Sequence, residues 1–186
     1  SAARKAFDEG PWPKMTAGER AKILHNLADL VEKHLEELAE IDTMDMGKPI
    51  TQSKTKDIPR VSDNFRFFAD YVKLSENESF PMNEKFHIYT RYEPVGVTAA
   101  ISPWNFPMML ASWKIAPALA YGNTVVLKPA EQTPVSCYRM AELAAEAGMP
   151  KGVLNVVHGF GPGEVGEHLT IHPEVNLVTF TGESNT

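Results

Sequence analysis

The sequence has very little cysteine, no long hydrophobic run and no excess of positive charge. Cys137 is the single cysteine in 186 residues, so no internal disulfide can form, which is typical of a reducing compartment. No apolar run approaches the length that spans a bilayer, and the first residues hold no hydrophobic signal core. The 18 basic and 24 acidic residues give a net charge of −6, which disfavours binding to nucleic acid or to an anionic membrane. We therefore expect a cytoplasmic protein without nucleic-acid or membrane partners.

The sequence also shows no pattern of zinc ligands. The six histidines show no spacing typical of zinc ligands, and no cysteine accompanies them. Cys137 lies inside a predicted helix, where free cysteines are usually buried, so we interpret it as a structural residue and not as a nucleophile. The sequence therefore predicts no metal site.

The first part of the chain has the pattern of helices. The whole chain, with 43% hydrophobic and 23% charged residues, has the composition of a globular protein. Residues 2–9 predict a short helix. A capping box at Thr16 and Glu19 predicts the start of a long amphipathic helix that ends at Gly47. A further helical stretch over residues 52–71 should be broken or kinked near Pro59.

From residue 95 onward, apolar strands alternate with helices. Strands are predicted at residues 95–101, 124–127, 153–157 and 177–180, and helices at 108–121, 135–147 and 164–170. This alternation is typical of βαβ units in a parallel sheet that is covered on both faces. We expect a helical lobe over residues 1–74, a loop and a strand (residues 86–92) within 75–94, and the α/β segment over 95–186.

Four loops follow the predicted strands, at residues 102–107, 128–134, 158–163 and 181–184. Ligands of such sheets bind at the carboxyl ends of the strands. The third loop leads into Gly161-x-Gly163-x-x-Gly166, whose glycines would let backbone N–H groups approach a pyrophosphate. A tight turn without a ligand explains the same spacing equally well, and the dinucleotide fingerprint normally follows the first strand. This glycine pattern alone is therefore weak support for a dinucleotide site.

Two other loops carry polar side chains with two interpretations each. Lys128 could donate to ribose or phosphate oxygens, while Glu131 could accept from a ribose hydroxyl and oppose a 2′-phosphate. Alternatively, both are solvated residues beside a helix cap formed by Thr133 and Pro134. Asn105, in a loop stiffened by prolines, could present its carboxamide as an oxyanion donor, or it could merely support the turn.

Taken together, these loops resemble the aldehyde dehydrogenase superfamily, and the likeness runs along the whole chain. The motifs that carry it are Tyr92-Glu-Pro-Val-Gly-Val97, Pro103-Trp-Asn-Phe-Pro107, Trp113-Lys-Ile-Ala-Pro-Ala-Leu-Ala120, Gly122-Asn-Thr-Val-Val-Leu-Lys-Pro129, Glu131-Gln-Thr-Pro134, Gly152-Val-Leu-Asn-Val156 and Phe180-Thr-Gly182. Trp12 and the segment Asp45-Met-Gly-Lys-Pro49 look similar too. The resemblance implies an α/β fold, with a partial Rossmann-like parallel sheet and flanking helices after a helical N-terminal lobe and the start of oligomerisation strands.

The resemblance implies NAD(P)-dependent oxidation of an aldehyde to a carboxylic acid through a cysteine thiohemiacetal. Asn105 would stabilise the oxyanion that forms when the thiolate attacks the aldehyde. Lys128 and Glu131 would bind the adenosine ribose, and Glu131 favours NAD over NADP. The residues implied in cofactor binding are Ser102, Pro103, Trp104, Lys128, Glu131, Gly161, Pro162, Gly163, Val165, Thr181, Gly182 and Glu183.

Both ends of the chain look cut, and the resemblance implies that the catalytic cysteine and the general-base glutamate lie beyond Thr186. We expect the segment alone to be inactive, and the parent enzyme to be a homodimer or homotetramer that acts on a small-molecule aldehyde. The alternatives are a catalytically inert dinucleotide-binding fragment and a CoA-acylating semialdehyde dehydrogenase. Residues 65–69 and 99–105 resemble bacterial enzymes for muconate-type semialdehydes or betaine aldehyde.

Overall fold

The computed structural model describes residues 1–183, and its first part is a set of helices. In chain order these are α1 (Ala2–Asp8), a 3₁₀ turn (Trp12–Lys14), α2 (Ala17–Lys33), α3 (Leu35–Met46), α4 (Ile50–Gln52), a π-helical turn (Ser53–Asp57), α5 (Ile58–Tyr71) and a second 3₁₀ turn (Val72–Leu74). The predicted capping box is confirmed, because the side chain of Thr16 accepts from Glu19 N at 3.2 Å and the carboxylate of Glu19 accepts from Thr16 N at 2.7 Å. Within residues 1–183, no helix is long and apolar enough to cross a bilayer.

The second part is a parallel sheet that follows an exposed hairpin. The hairpin is β1 (Ser79–Asn83) with β2 (Phe86–Tyr89), and the sheet segment contains β3 (Val97–Ile101), α6 (Pro107–Ala120), β4 (Thr124–Lys128), α7 (Val135–Glu146), β5 (Leu154–Val156), α8 (Val165–Ile171) and β6 (Leu177–Phe180). The strand order is β5-β4-β3-β6, and every pairing in it is parallel. The predicted α/β fold with flanking helices is confirmed.

The strand order creates a switch point between β3 and β6. From β3 the chain moves outward through β4 to β5, and it then returns to place β6 on the other side of β3. Ile101, Lys128 and Phe180 end their strands in register, since Ile101 pairs with both of the others. Open α/β sheets bind ligands outside the carboxyl ends of the strands at such a point.

One hydrophobic core joins the helices to the sheet. Trp12, Leu24, Phe65, Ile115 and Leu143 are all fully buried in it, although they come from the first 3₁₀ turn, α2, α5, α6 and α7. The loops at the carboxyl ends of the strands are therefore carried on a packed scaffold. Functional groups on such loops are held in place by the elements beneath them.

The predicted long helix is wrong in one respect, because it is two helices that meet at His34. The backbone of His34 leaves the helical conformation (φ −101°, ψ 20°), and its Nδ1 lies 2.7 Å from a carboxylate oxygen of Glu37 in the first turn of α3. α2 packs mainly against α5, and both α2 and α3 contact α7. The hydrophobic pattern of the sequence runs through both helices and gives no sign of the break at His34.

Two further details differ from the sequence pattern. The irregularity predicted near Pro59 is the π-helical turn Ser53–Asp57, after which Pro59 fits within the first turn of α5, where its missing N–H is not needed. The predicted strand over residues 86–92 ends at Tyr89, and it pairs with β1, which the sequence did not reveal. Both hairpin strands are exposed along their length, so they show no buried face that a pattern could report.

Candidate functional site

A cavity of about 620 Å³ opens at the carboxyl ends of β3, β4 and β6. Ile101, Lys128 and Phe180 line it from the ends of these strands, and Glu131, Gly161 and Pro162 line it from the loops. Its volume lies within the range of about 300–1,000 Å³ that is typical of ligand pockets. The cavity therefore occupies the switch point that the topology of the sheet makes available to a ligand.

Lys128 and Glu131 form an ion pair in the wall of this cavity. The buried Lys128 Nζ donates to Glu131 Oε2 at 3.2 Å and to the carbonyl of Pro129 at 3.2 Å. A hydrogen bond from its own backbone N–H, together with Lys128, holds the pKa of the Glu131 carboxyl below its ordinary value. A fixed ammonium donor beside a fixed carboxylate acceptor matches the two hydroxyls of a ribose, each of which can donate and accept.

Backbone N–H groups of the glycine-rich turn between β5 and α8 donate hydrogen bonds within the protein. The amide of Gly163 donates to Glu167 Oε2 at 2.7 Å, and that of Phe160 donates to Glu164 Oε2 at 3.1 Å. The N–H of Gly166 donates to the carbonyl of Phe160 at 3.0 Å. These donors are occupied within the protein, so this turn forms a wall of the cavity and does not offer these N–H groups to a pyrophosphate.

The close packing of this turn explains why glycine occupies position 166. A Cβ on Gly166 would lie 2.8 Å from the Cα of Gly161 and 3.2 Å from its carbonyl oxygen. Gly161 and Pro162 line the cavity beside Lys128, whereas Gly163 and Val165 line a neighbouring cavity on the other side of the turn. Of the predicted cofactor-binding residues in this turn, the structure therefore brings only Gly161 and Pro162 to the cavity that contains Lys128.

Asn105 lies on the loop between β3 and α6 with its carboxamide available. The residue is exposed, and its side chain makes no hydrogen bond with residues 1–183. The loop itself is anchored on both sides, because Ser102 N donates to the carbonyl of Lys128 at 3.1 Å and Thr133 Oγ1 donates to the carbonyl of Trp104 at 3.3 Å. Since the side chain does not support the turn, its N–H groups can serve a ligand.

The loop anchor also corrects a sequence prediction. Thr133 does not cap α7, because its hydroxyl is bonded to Trp104 and the helix begins only at Val135. The amide of Val135 donates instead to Asp45 Oδ2 at 3.0 Å, from the end of α3. A residue 90 positions away thus performs the capping, which no local pattern could indicate.

A buried ionic cluster lies beneath the Asn105 loop. Lys48 Nζ lies 2.5 Å from Asp57 Oδ2 and 3.4 Å from Asp42 Oδ2, and all three side chains are almost completely buried. Ser136 Oγ donates to Asp42 Oδ1 at 2.9 Å. The ammonium of Lys48 also lies 4.5 Å from the centre of the Phe106 ring, which is a cation–π distance. The cluster fastens the helical lobe to the residue next to Asn105.

The fourth loop follows β6 and lies close to the first. Thr181 N donates to the carbonyl of Ile101 at 3.2 Å, and Thr181 Oγ1 accepts from Lys114 Nζ at 2.6 Å. Burial lowers the pKa of the Lys114 ammonium below its ordinary value. Gly182 and Glu183 are exposed, and Ser184, the last residue of the predicted loop, lies outside the described residues. Thr181 is thus fixed at the switch point beside Ile101.

Cys137 is completely buried in α7, and burial raises the pKa of its thiol above the ordinary value. A neutral, enclosed thiol is a poor nucleophile. No group of three or more His, Cys, Asp or Glu residues is arranged to hold a metal ion within the part of the chain that the structure describes.

The sequence and the fold are similar to those of known proteins. The model of the aldehyde dehydrogenase family matches residues 1–186. The chain is 49% identical to aldehyde dehydrogenase family 2 member B4, mitochondrial, of Arabidopsis thaliana, and 48% identical to 2-hydroxymuconic semialdehyde dehydrogenase of Pseudomonas sp. (strain CF600), with 100% of the chain covered in both. It spans 34% and 39% of these two relatives. A solved NAD⁺ complex of aldehyde dehydrogenase from Bacillus cereus superposes with a TM-score of 0.94 at 48% identity, over 97% of this chain and 37% of that one.

Proposed function

The chain belongs to the aldehyde dehydrogenase family, and we propose that it forms the NAD-binding part of an enzyme that oxidises an aldehyde to a carboxylic acid. The observation that carries the proposal is the Lys128–Glu131 pair in a cavity at the switch point of the sheet. The chain spans about a third of the length of the relatives named above, so we propose this activity for a whole enzyme of that length and not for these residues alone.

The cavity suits the adenosine half of a dinucleotide. Lys128 would donate to ribose oxygens, and the carboxylate of Glu131 would accept from the ribose 2′-hydroxyl and oppose a 2′-phosphate. Gly161 and Pro162 would contact the adenine, because they offer an apolar wall on the same side of the turn. NAD⁺ is the cofactor named for the Bacillus cereus structure, which supports the same cofactor here.

The loops of β3 and β6 would serve the reacting end of the cofactor. Ser102, Pro103 and Trp104 follow β3, and Thr181, Gly182 and Glu183 follow β6, so both groups border the switch point. When bound, NAD supplies the hydride acceptor. Asn105 would donate its amide N–H to the oxyanion that a thiolate creates on the aldehyde, and the resemblance implies that this thiolate and the general base lie beyond Thr186.

The similar relatives are named for different substrates. Relatives at 45–49% identity are named for benzaldehyde, retinaldehyde and muconic semialdehydes, so the segment is similarly close to enzymes with different substrates. A muconate-type semialdehyde or betaine aldehyde stays a prediction from the sequence. The CoA-acylating alternative also stays a prediction.

Assembly and location are further proposals. The exposed hairpin presents Phe80, Met82, Phe86, Ile88 and Tyr89 to solvent, which supports the expectation that the longer protein is a homodimer or homotetramer. A cytoplasmic location stays a prediction, and two of the relatives are named as mitochondrial.

The catalytic part of the proposal is tested by Asn105→Ala in the longer protein that contains this segment. Loss of one oxyanion donor should lower kcat by roughly 10²–10³, while the affinity for NAD⁺ stays within about twofold. Asn77→Ala is the matched control, since it removes an exposed carboxamide that does not line the cavity. An Asn105→Ala enzyme with unchanged kcat would contradict the assigned role. A chain that binds NAD⁺ within a longer protein that oxidises no aldehyde would favour the inert binding module.

A further inference from the structure

A second acidic residue lines the same cavity as the Lys128–Glu131 pair. Glu167, in the first turns of α8, lines the cavity together with Gly166 and Thr170. The ionisable side chains in the lining are therefore Lys128, Glu131 and Glu167, which carry one positive and two negative charges. Since Lys128 is already paired with Glu131, the carboxylate of Glu167 leaves the wall with a net negative charge.

Glu167 is held in place at both its backbone and its side chain. Its amide donates to the carbonyl of Gly161 at 3.0 Å, and its carboxylate accepts from the amide of Gly163 at 2.7 Å. Gly163 has a φ of 73°, in the left-handed region that glycine adopts without strain. The carboxylate cannot leave this position without breaking its bond to the turn, so its negative charge is held at the turn that borders the cavity.

We propose that Glu167 is a second determinant of the preference for NAD over NADP, next to Glu131. This inference rests on the proposed function, because it assigns the cavity to the adenosine half of the cofactor. NADP differs from NAD by a 2′-phosphate that adds about two negative charges, whereas NAD presents a neutral hydroxyl at that position. A carboxylate held in the wall of the cavity repels such a phosphate and therefore weakens NADP binding by roughly five- to tenfold, while NAD binding stays nearly unchanged.

The turn offers a matched control. Glu164 makes the same kind of bond as Glu167, from its carboxylate to the amide of Phe160 at 3.1 Å, but it lines the neighbouring cavity. Replacing either residue by glutamine removes one negative charge from the same turn and keeps an oxygen acceptor for the backbone amide. Only the change at position 167 alters the charge of the proposed cofactor cavity.

The experiment is to measure the dissociation constants of NAD⁺ and NADP⁺ by calorimetry for the wild-type chain, Glu167→Gln and Glu164→Gln. The expected result is that Glu167→Gln binds NADP⁺ about five- to tenfold more tightly and NAD⁺ within twofold of wild type, while Glu164→Gln matches wild type for both. Added salt should reduce the difference between wild type and Glu167→Gln for NADP⁺.

The outcomes separate this inference from the function on which it rests. If wild type binds NAD⁺ and Glu167→Gln leaves the NADP⁺ to NAD⁺ ratio unchanged, the inference is overturned and the proposed function stands. An equal change in Glu164→Gln also overturns it, because the effect would then come from net charge and not from the cavity. If wild type binds neither dinucleotide, the proposed function and the inference both fail.

Discussion

Replacing Lys48 by methionine removes the positive charge that two buried carboxylates share. Lys48 Nζ lies 2.5 Å from Asp57 Oδ2 and 3.4 Å from Asp42 Oδ2, and the exposed fraction of each of the three side chains is at most 5%. Methionine fills a similar volume, so the substitution tests the charge and not the packing. The two carboxylates then either stay ionised without a partner or take up a proton.

The size of the effect follows from these two options. Breaking a buried ion pair by removing one partner typically costs about 3–5 kcal/mol. Protonation of one of the two carboxylates sets a similar upper limit on the lost free energy of unfolding. Placing a proton on an aspartate of ordinary pKa at pH 7 costs about 4 kcal/mol. The Lys48→Met chain should therefore lose about 3–5 kcal/mol of its free energy of unfolding, which is a large part of the 5–15 kcal/mol typical of a domain.

The loss should depend on pH. Burial raises the pKa of Asp42 above its ordinary value, even with Lys48 beside it, and removing Lys48 raises it further. A group whose pKa is higher in the folded than in the unfolded state adds stability as the pH falls through the folded pKa towards the unfolded value. Protonating one aspartate costs only about 1.5 kcal/mol at pH 5, so the deficit of Lys48→Met should shrink by about 2–3 kcal/mol between pH 7 and pH 5.

Urea denaturation followed by tryptophan fluorescence measures both quantities, because Trp12 is fully buried in the folded chain and becomes exposed on unfolding. Lys54→Met is the control, because Lys54 pairs with Glu36 at the surface and its loss should cost less than about 1 kcal/mol. A deficit for Lys48→Met below about 1 kcal/mol, or one that is equal at pH 7 and pH 5, would refute the reasoning.

Three smaller predictions follow from single contacts. Cys137 should resist a thiol reagent at pH 8 until the chain unfolds, because its thiol is buried and its pKa is raised; labelling at the rate of a free thiol would contradict this. Asp45→Ala should cost about 1 kcal/mol in urea denaturation, since the amide of Val135 loses its acceptor, and no change would remove Asp45 as the cap. Gly166→Ala should cost about 1–3 kcal/mol, because its Cβ meets the backbone of Gly161, and a neutral result would contradict that close approach.

The sheet could be predicted because its information is local. Strands such as Val97–Ile101 and Thr124–Lys128 are short apolar runs between turn residues, and the helices between them force parallel pairing. The position of β6 beside β3 could not be predicted from the sequence, because it depends on packing between distant segments. The exposed strand Ser79–Asn83 carries no buried face, so neither its presence nor its pairing with the predicted strand that follows it could be seen in the sequence.

The candidate site was predictable where its residues stand in motifs. Lys128, Glu131 and Asn105 follow strands at positions where chemistry is expected, and the structure places Lys128 and Glu131 in one cavity. The contacts that fix these loops come from far away in the chain. Asp42 meets Ser136 across 94 positions, and such a pairing has no signature in either segment. Glu167 follows Gly163 by four positions, a spacing that lets its carboxylate reach the amide of Gly163. This spacing is visible in the sequence, but it was not among the features from which the site was predicted.

The central claim, that Lys128 and Glu131 form the cofactor cradle, is tested most directly by calorimetric titration of the chain with NAD⁺. Wild type should bind one NAD⁺ per chain, and Glu131→Ala should weaken binding by about tenfold or more, because a hydrogen bond to a charged group is worth roughly 1.5–3 kcal/mol. Glu93→Ala, which removes an exposed carboxylate paired with Arg91 away from the cavity, should bind as wild type does. No saturable binding by wild type, or equal binding by Glu131→Ala, would contradict the claim.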